Sequence, residues 1–214
     1  MISSTDSSTL APWRLFVAVP LPPEVKALVT SALPTLQAGL PFQKWVHPED
    51  VHITLVFLGD TAPAAVPALE AALTRLASRA VPFPLRLEGT GTFGAPQAPR
   101  VLWAGLGGSL PALHRLQADA AREAAELGYA PEGRAYAPHV TLARRYAAGG
   151  GGRGSARRHA LQPEKAGTPV PAFSGDALWP AAAWTADRVV LYRTRMGRSP
   201  MYEPLREFVF SSGG

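Results

Sequence analysis

Residues 51–60 read VHITLVFLGD and residues 138–145 read PHVTLARR. Each holds His-x-Thr-Leu inside an apolar, β-branched run, the pattern of a strand. Side chains alternate faces along a strand, so His52 and Thr54 share one face while Ile53 and Leu55 pack into the layer behind. His139 and Thr141 repeat the arrangement, with Val140 and Leu142 behind them. Two such strands set together offer two imidazoles and two small hydroxyl donors. A neutral imidazole takes a proton from water while an imidazolium gives one to a leaving oxygen. Threonine hydroxyls hold the non-bridging oxygens of a phosphate. A lone His-x-Thr in a strand is ordinarily a partly buried histidine satisfied by a neighbour. Two copies in matching contexts point to one shared site.

Working outward, residues 13–20 (WRLFVAVP) form a short apolar run stopped by proline, a buried strand. Residues 22–40 open on prolines suited to a helix start, with Pro34 expected to kink or end that helix. Residues 64–79 carry Val66, Leu69, Leu73 and Leu76 at helical spacing. A half-buried strand starts at Pro84 and another at Arg100. Ser109 is placed to cap a helix that runs to Leu127 and stops at Gly128. A strand follows at residues 187–194, then a short one around 207–210.

The order is strand, helix, strand, helix, strand, then strand, helix, strand, loop, strand, with His-x-Thr in a comparable place in each half. This predicts an α+β fold of two related lobes, each a small sheet covered by helices, with the two His-x-Thr strands facing each other. Residues 1–12 read as a flexible polar tail without the basic and apolar regions of a signal peptide. Residues 147–183 begin AAGGGGRGSARR and show neither period, so a long Gly/Arg/Pro-rich loop is expected, with one short turn at 177–184. Its Arg153, Arg157 and Arg158 either sweep past a phosphate backbone or belong to a tolerated surface insertion.

Composition narrows the class. A chain of 214 residues with 47% hydrophobic and 17% charged residues has enough apolar material for a folded core, not a disordered chain. The net charge of +5 favours a polyanionic partner such as nucleic acid. The absence of cysteine excludes disulfides and thiolate metal sites and fits a reducing cytoplasm. No apolar run approaches the roughly 18 residues of a membrane span.

The motifs in their order, RLFVAVPLP, WVHPEDVHITLVFLGD, GTGTFGAPQAPRVLWAGL, YAPHVTLARR and VVLYRTRMGRSPMYEPL, resemble those of the two-histidine (2H) phosphoesterases, in particular the RNA 2′,3′-cyclic phosphodiesterases once called 2′-5′ RNA ligases. The resemblance implies two antiparallel sheets related by a pseudo-twofold axis, helices on the outer faces, and a central cleft holding the active site. It implies hydrolysis of a terminal 2′,3′-cyclic phosphate of RNA, or of a cyclic-phosphate nucleotide, to a 2′-phosphate. Neither metal nor cofactor is expected, and the protein is expected as a monomer. His52 and His139 become the catalytic pair, and Thr54 and Thr141 the phosphate holders. Arg144 is placed to neutralise phosphate charge; its parity along a regular strand is opposite to that of His139, so it must reach in through a strand end or a bulge. Tyr202 resembles a recurrent tyrosine beside the cleft. The resemblance assigns proton donation to His52 and water activation to His139, while the near-symmetry of the half-sites leaves the reverse open. End joining through a 2′-5′ linkage, or RNA-end binding without catalysis, are the competing readings.

Other patterns carry less. Gly89-Thr-Gly-Thr-Phe-Gly94 matches a dinucleotide fingerprint in letters, but APQAPR follows where that fingerprint needs a helix, so a glycine-rich turn leaving a strand is expected. His47, His114 and His159 read as surface residues, and Trp45, Trp103 and Trp184 as core.

Overall fold

The computed structural model describes residues 11–95, 98–130, 132–147, 168–169, 178–179 and 182–211. Arg153, Arg157, Arg158 and His159, and most of the tail and the long loop, lie outside the described residues. The strands are β1 (Trp13–Pro20), β2 (Phe42–Trp45), β3 (His52–Thr61), β4 (Phe83–Ala95), β5 (Ala98–Gly108), β6 (Val140–Tyr146), β7 (Thr168–Pro169), β8 (Ala183–Ala186), β9 (Arg188–Thr194) and β10 (Tyr202–Val209). The helices are α1 (Pro23–Gly39), α2 (Val66–Arg79) and α3 (Leu110–Glu126).

The α+β expectation holds, and the strands form one curled antiparallel sheet in the order β10-β9-β1-β3-β6-β5-β4-β7, with β2 beside β6 and β8 beside β4. The two halves of that sheet meet at β3 and β6, which share a single register pair, Ile53 with Val140. The last two long strands do not stay with the second half of the chain. They return beside β1 and complete the first half-sheet.

Hydrophobic pattern accounts for the layering. Leu15, Val17 and Val19 of β1, Ile53 and Leu55 of β3, and Val140 and Leu142 of β6 are buried in one core. α2 buries Leu69, Leu73 and Leu76 and packs on β9 and β10; α3 buries Leu113, Leu116 and Ala120 and packs on β3 and on α2. Between these two helices, Glu123 accepts hydrogen bonds from Arg75 at 2.8 Å and from Arg79. Among the described residues, no helix is long and apolar enough to cross a membrane.

The structure departs from several expectations. Pro34 does not end α1, which continues to Gly39. Pro34 and Thr30, whose carbonyl loses its donor, are both exposed on the solvent side of the helix, while Val29, Ala32 and Leu36 hold the buried face. Ser109 caps α3 through its main-chain carbonyl, which accepts from Ala112 and Leu113, and not through its hydroxyl. Gly89–Gly94 is not a turn but the second half of β4, with a register shift between Leu87 and Thr90 that uses Gly89 at φ +63°. Within that run Gly91 leaves room for the Trp103 ring, which a side chain there would strike. Ala183–Ala186 is a strand on β4 where a turn was expected, and Thr168–Pro169 adds two further paired residues inside the expected loop. β10 begins at Tyr202, earlier than the apolar signal at its end suggests.

Candidate active site

The Ile53–Val140 pair joins the central residues of the two His-x-Thr triplets. In an antiparallel pair the neighbours on either side run in opposite senses, so His52 lies across from Thr141 and Thr54 across from His139. A local twofold axis therefore passes between Ile53 and Val140. That axis relates one imidazole and one hydroxyl of each strand, arranged head to tail.

Both imidazoles are held in the same way. His52 Nδ1–H donates to the carbonyl of Asp50 at 2.6 Å, and His139 Nδ1–H donates to the carbonyl of Ala137 at 2.7 Å. A carbonyl only accepts, so each neutral ring carries its proton on Nδ1 and presents an Nε2 lone pair away from the backbone. His52 Nε2 lies 3.0 Å from the Thr54 hydroxyl. Aromatic rings line both half-sites. His52 packs against Phe16 at 4.9 Å, Tyr202 edge-on at 5.1 Å and Tyr192 at 6.1 Å. His139 meets Phe93 edge-on at 4.9 Å.

Burial sets the proton affinities. His52 is pushed down to about 4, chiefly by desolvation and further by the charges of Arg144 and His139, against the opposing pull of the Asp50 carbonyl and carboxylate. His139 is also lowered, again by burial first and then by Arg144. Both rings are therefore neutral near pH 7 in the free protein. Burial raises the Tyr202 and Tyr192 phenols, which stay protonated.

Arg144 bears on both imidazoles, and the strand shows how it reaches them. The β5–β6 register pairs Trp103 with Thr141 and Leu102 with Ala143, leaving Leu142 as an extra residue. This bulge reverses the alternation, so Leu142 and Ala143 are both buried and Arg144 emerges on the face of His139 and Thr141. β3 bulges at the matching place. Ala18 pairs with Thr54 and Val17 with Val56, so Leu55 is the extra residue. The carbonyls at that bulge are taken up by side chains: Tyr136 O–H donates to Thr54 at 3.1 Å, and Gln117 Nε2–H to Leu55 at 3.4 Å. The buried Tyr136 phenol is raised and remains a donor.

The His52 ring lies beside Thr54 and Tyr202 and within electrostatic reach of His139 and Arg144, while Thr141 is placed only by the register of β6. His47 instead caps the start of the turn before β3, accepting from Glu49 N–H at 3.2 Å, and His114 lies exposed on α3. Trp184 is buried, and Trp45 and Trp103 are half-buried. Phe16, Phe93 and Tyr192 were not read as site residues. All three lie in quoted motifs, but such runs do not reveal which aromatic ring will face a histidine. Among the described residues, no group of three or more His, Asp or Glu side chains is placed to hold a metal ion.

Comparison with known proteins is consistent with this geometry. The LigT like Phosphoesterase family matches residues 19–103. An RNA 2′,3′-cyclic phosphodiesterase of Geobacillus stearothermophilus is 38% identical over 193 residues, which is 90% of this chain and 56% of that longer protein. The chain thus spans just over half of that relative's length. The Bacillus subtilis (strain 168) RNA 2′,3′-cyclic phosphodiesterase is 32% identical over 201 residues, covering 92% of this chain and 96% of its own. The crystal structure of Escherichia coli LigT complexed with 3′-AMP superposes with a TM-score of 0.69 at 22% identity, covering 94% of this chain and 99% of that one.

Proposed function

This chain belongs to the LigT-like phosphoesterase family, and on that premise we propose that it hydrolyses the terminal 2′,3′-cyclic phosphate of RNA to a 2′-phosphomonoester, with His52 and His139 as its acid and base and without a metal. The observation that carries this reading is the pair of imidazoles related across Ile53 and Val140, each locked through Nδ1 to a main-chain carbonyl and each presenting Nε2.

The family resemblance, not this near-symmetric arrangement, assigns the two roles. His139 Nε2 takes a proton from water as its oxygen bonds to phosphorus. The bond from phosphorus to the 3′ oxygen breaks, and His52 Nε2–H delivers its proton to that oxygen. Water is consumed, and a 2′-phosphate and a free 3′-hydroxyl are left. Thr54, Thr141 and Arg144 hold the non-bridging oxygens, where negative charge gathers. The donor must first be protonated, although burial and Arg144 oppose this in the free protein. The phosphodiester brings the negative charge that offsets Arg144 and lets His52 take up a proton. The ring of Phe57, 52% exposed and 6.1 Å from Phe16 on the His52 face, offers the terminal base a stacking surface.

A short RNA ending in a 2′,3′-cyclic phosphate tests the reading. The expected product carries a 2′-phosphate. A longer oligomer identifies end joining in place of hydrolysis, and RNA that is bound but unchanged overturns the catalytic reading.

A further inference from the structure

The residue two places before each catalytic histidine differs between the half-sites. Before His139 stands Ala137, which supplies only its carbonyl. Before His52 stands Asp50, whose carbonyl does the same work and whose carboxylate is also buried, 5% exposed. A main-chain carbonyl therefore suffices to orient an imidazole, and the Asp50 side chain serves something more.

Its contacts show what that is. Oδ1 accepts the N–H groups of Met201 and Tyr202, each at 3.0 Å, and Oδ2 accepts the Met201 N–H at 2.9 Å. Burying a carboxylate is costly unless such charge-assisted bonds compensate it. These bonds tie the turn before β3 to the start of β10, across 151 residues of sequence. They fix the backbone that carries Tyr202, whose ring edge meets His52 at 5.1 Å.

The carboxylate also lies beside one imidazole only. The groups facing His52 are Asp50 from the preceding turn, His139 and Arg144 from the β6 side, the neutral phenols of Tyr192 on β9 and Tyr202 on β10, and the apolar ring of Phe16 on β1. Among the described residues, Asp50 is the one carboxylate that bears on His52.

We propose that Asp50 is a positioning residue that makes the two half-sites unequal: it clamps the Met201–Tyr202 backbone against His52 and places a negative charge beside that imidazole alone, favouring His52 as the proton donor. The assignment of donor and acceptor rests on the proposed hydrolysis; the clamp and the charge asymmetry do not.

The test compares wild type with Asp50→Asn and Asp50→Glu, using ring-nitrogen NMR of both histidines through the acid range together with pH profiles of cyclic-phosphate hydrolysis. In Asp50→Asn the His52 titration moves to lower pH while that of His139 stays. The alkaline limb of kcat/KM moves down with it, and kcat falls about tenfold or more with KM nearly unchanged. Asp50→Glu keeps the charge but misplaces the clamp, so it lowers kcat while the His52 titration stays close to wild type. An Asp50→Asn protein with an unmoved His52 titration and an unmoved alkaline limb overturns the proposal and leaves Asp50 a structural tie. If Asp50→Asn does not fold, Asp50→Glu decides alone, and a wild-type kcat overturns the proposal. A wild-type protein that leaves cyclic phosphate intact defeats the hydrolytic reading instead, and the His52 titration still decides the role of Asp50.

Discussion

Phe57 and Arg144 occupy the same place in the two halves of the cleft. Each follows its histidine by five residues, and each is turned to the histidine's face by a bulge, at Leu55 in β3 and at Leu142 in β6. The local twofold that makes the imidazoles alike is broken here by an exposed ring on one side and a cation on the other. A nucleotide has the same polarity, with a π-face at one end and a phosphate at the other. Under the proposed function, a nucleotide is therefore expected to bind in one orientation.

Replacing Arg144 by Ala removes a positive charge that lowers both imidazoles. Both proton affinities then rise, so both limbs of the pH–rate profile move to higher pH. Loss of the phosphate contact raises KM about tenfold, an effect of about 1.4 kcal/mol. Steady-state kinetics across pH check both effects.

Phe57→Ala acts at the other end. Base stacking on an aromatic ring contributes about 1–3 kcal/mol, so KM for an RNA substrate rises about tenfold while kcat and the pH limbs hold. A substrate series differing only in the terminal base shows whether the loss tracks stacking strength.

His52→Ala and His139→Ala each lower kcat by about 10²–10⁴-fold, the usual range for a positioned acid or base. The double variant falls little further, because the two groups act in one step. Activity persists in a chelator. Wild-type-like turnover in either single variant, or abolition by the chelator, contradicts the paired-histidine mechanism.

The depressed imidazoles also govern stability. An unfolded His52 titrates near 6.5 and the folded one near 4. Between these values the unfolded chain binds the extra proton, so stability is fully present above about pH 6.5 and is lost as pH falls toward 4. The shift is equivalent to about 3 kcal/mol for His52, and His139 adds a loss of the same sign. Denaturant unfolding at a series of pH values measures this slope, and His52→Gln flattens it.

Glu123→Ala separates folding from catalysis. It leaves Arg75 and Arg79 without their shared carboxylate between α2 and α3. Both arginines are about half exposed and can turn to water, so the cost is about 1–2 kcal/mol of stability. The kinetic constants of the folded variant stay at wild-type values.

The sequence carried the site further than it carried the sheet. His52, Thr54, His139 and Thr141 were legible because strand periodicity alone assigns their faces. For Arg144, parity already required a strand end or a bulge; which of the two, and at which residue, leaves no mark in a run such as VTLARRY. Asp50 was not legible at all: its partners are backbone N–H groups far along the chain, and backbone donors have no residue type. The return of β9 and β10 to the first half-sheet was hidden for a related reason. Apolar alternation identifies a strand without naming its neighbour, and the nearer choice in sequence was the wrong one.

That return has a consequence for how the protein comes into being on the ribosome. The His139 half of the cleft draws Phe93, Trp103 and Arg144 from the middle of the chain and can be walled as soon as those strands emerge. The His52 half waits for Tyr192, Tyr202 and the backbone amides of Met201 and Tyr202. During synthesis both histidines are therefore made before the strands and amides that enclose His52.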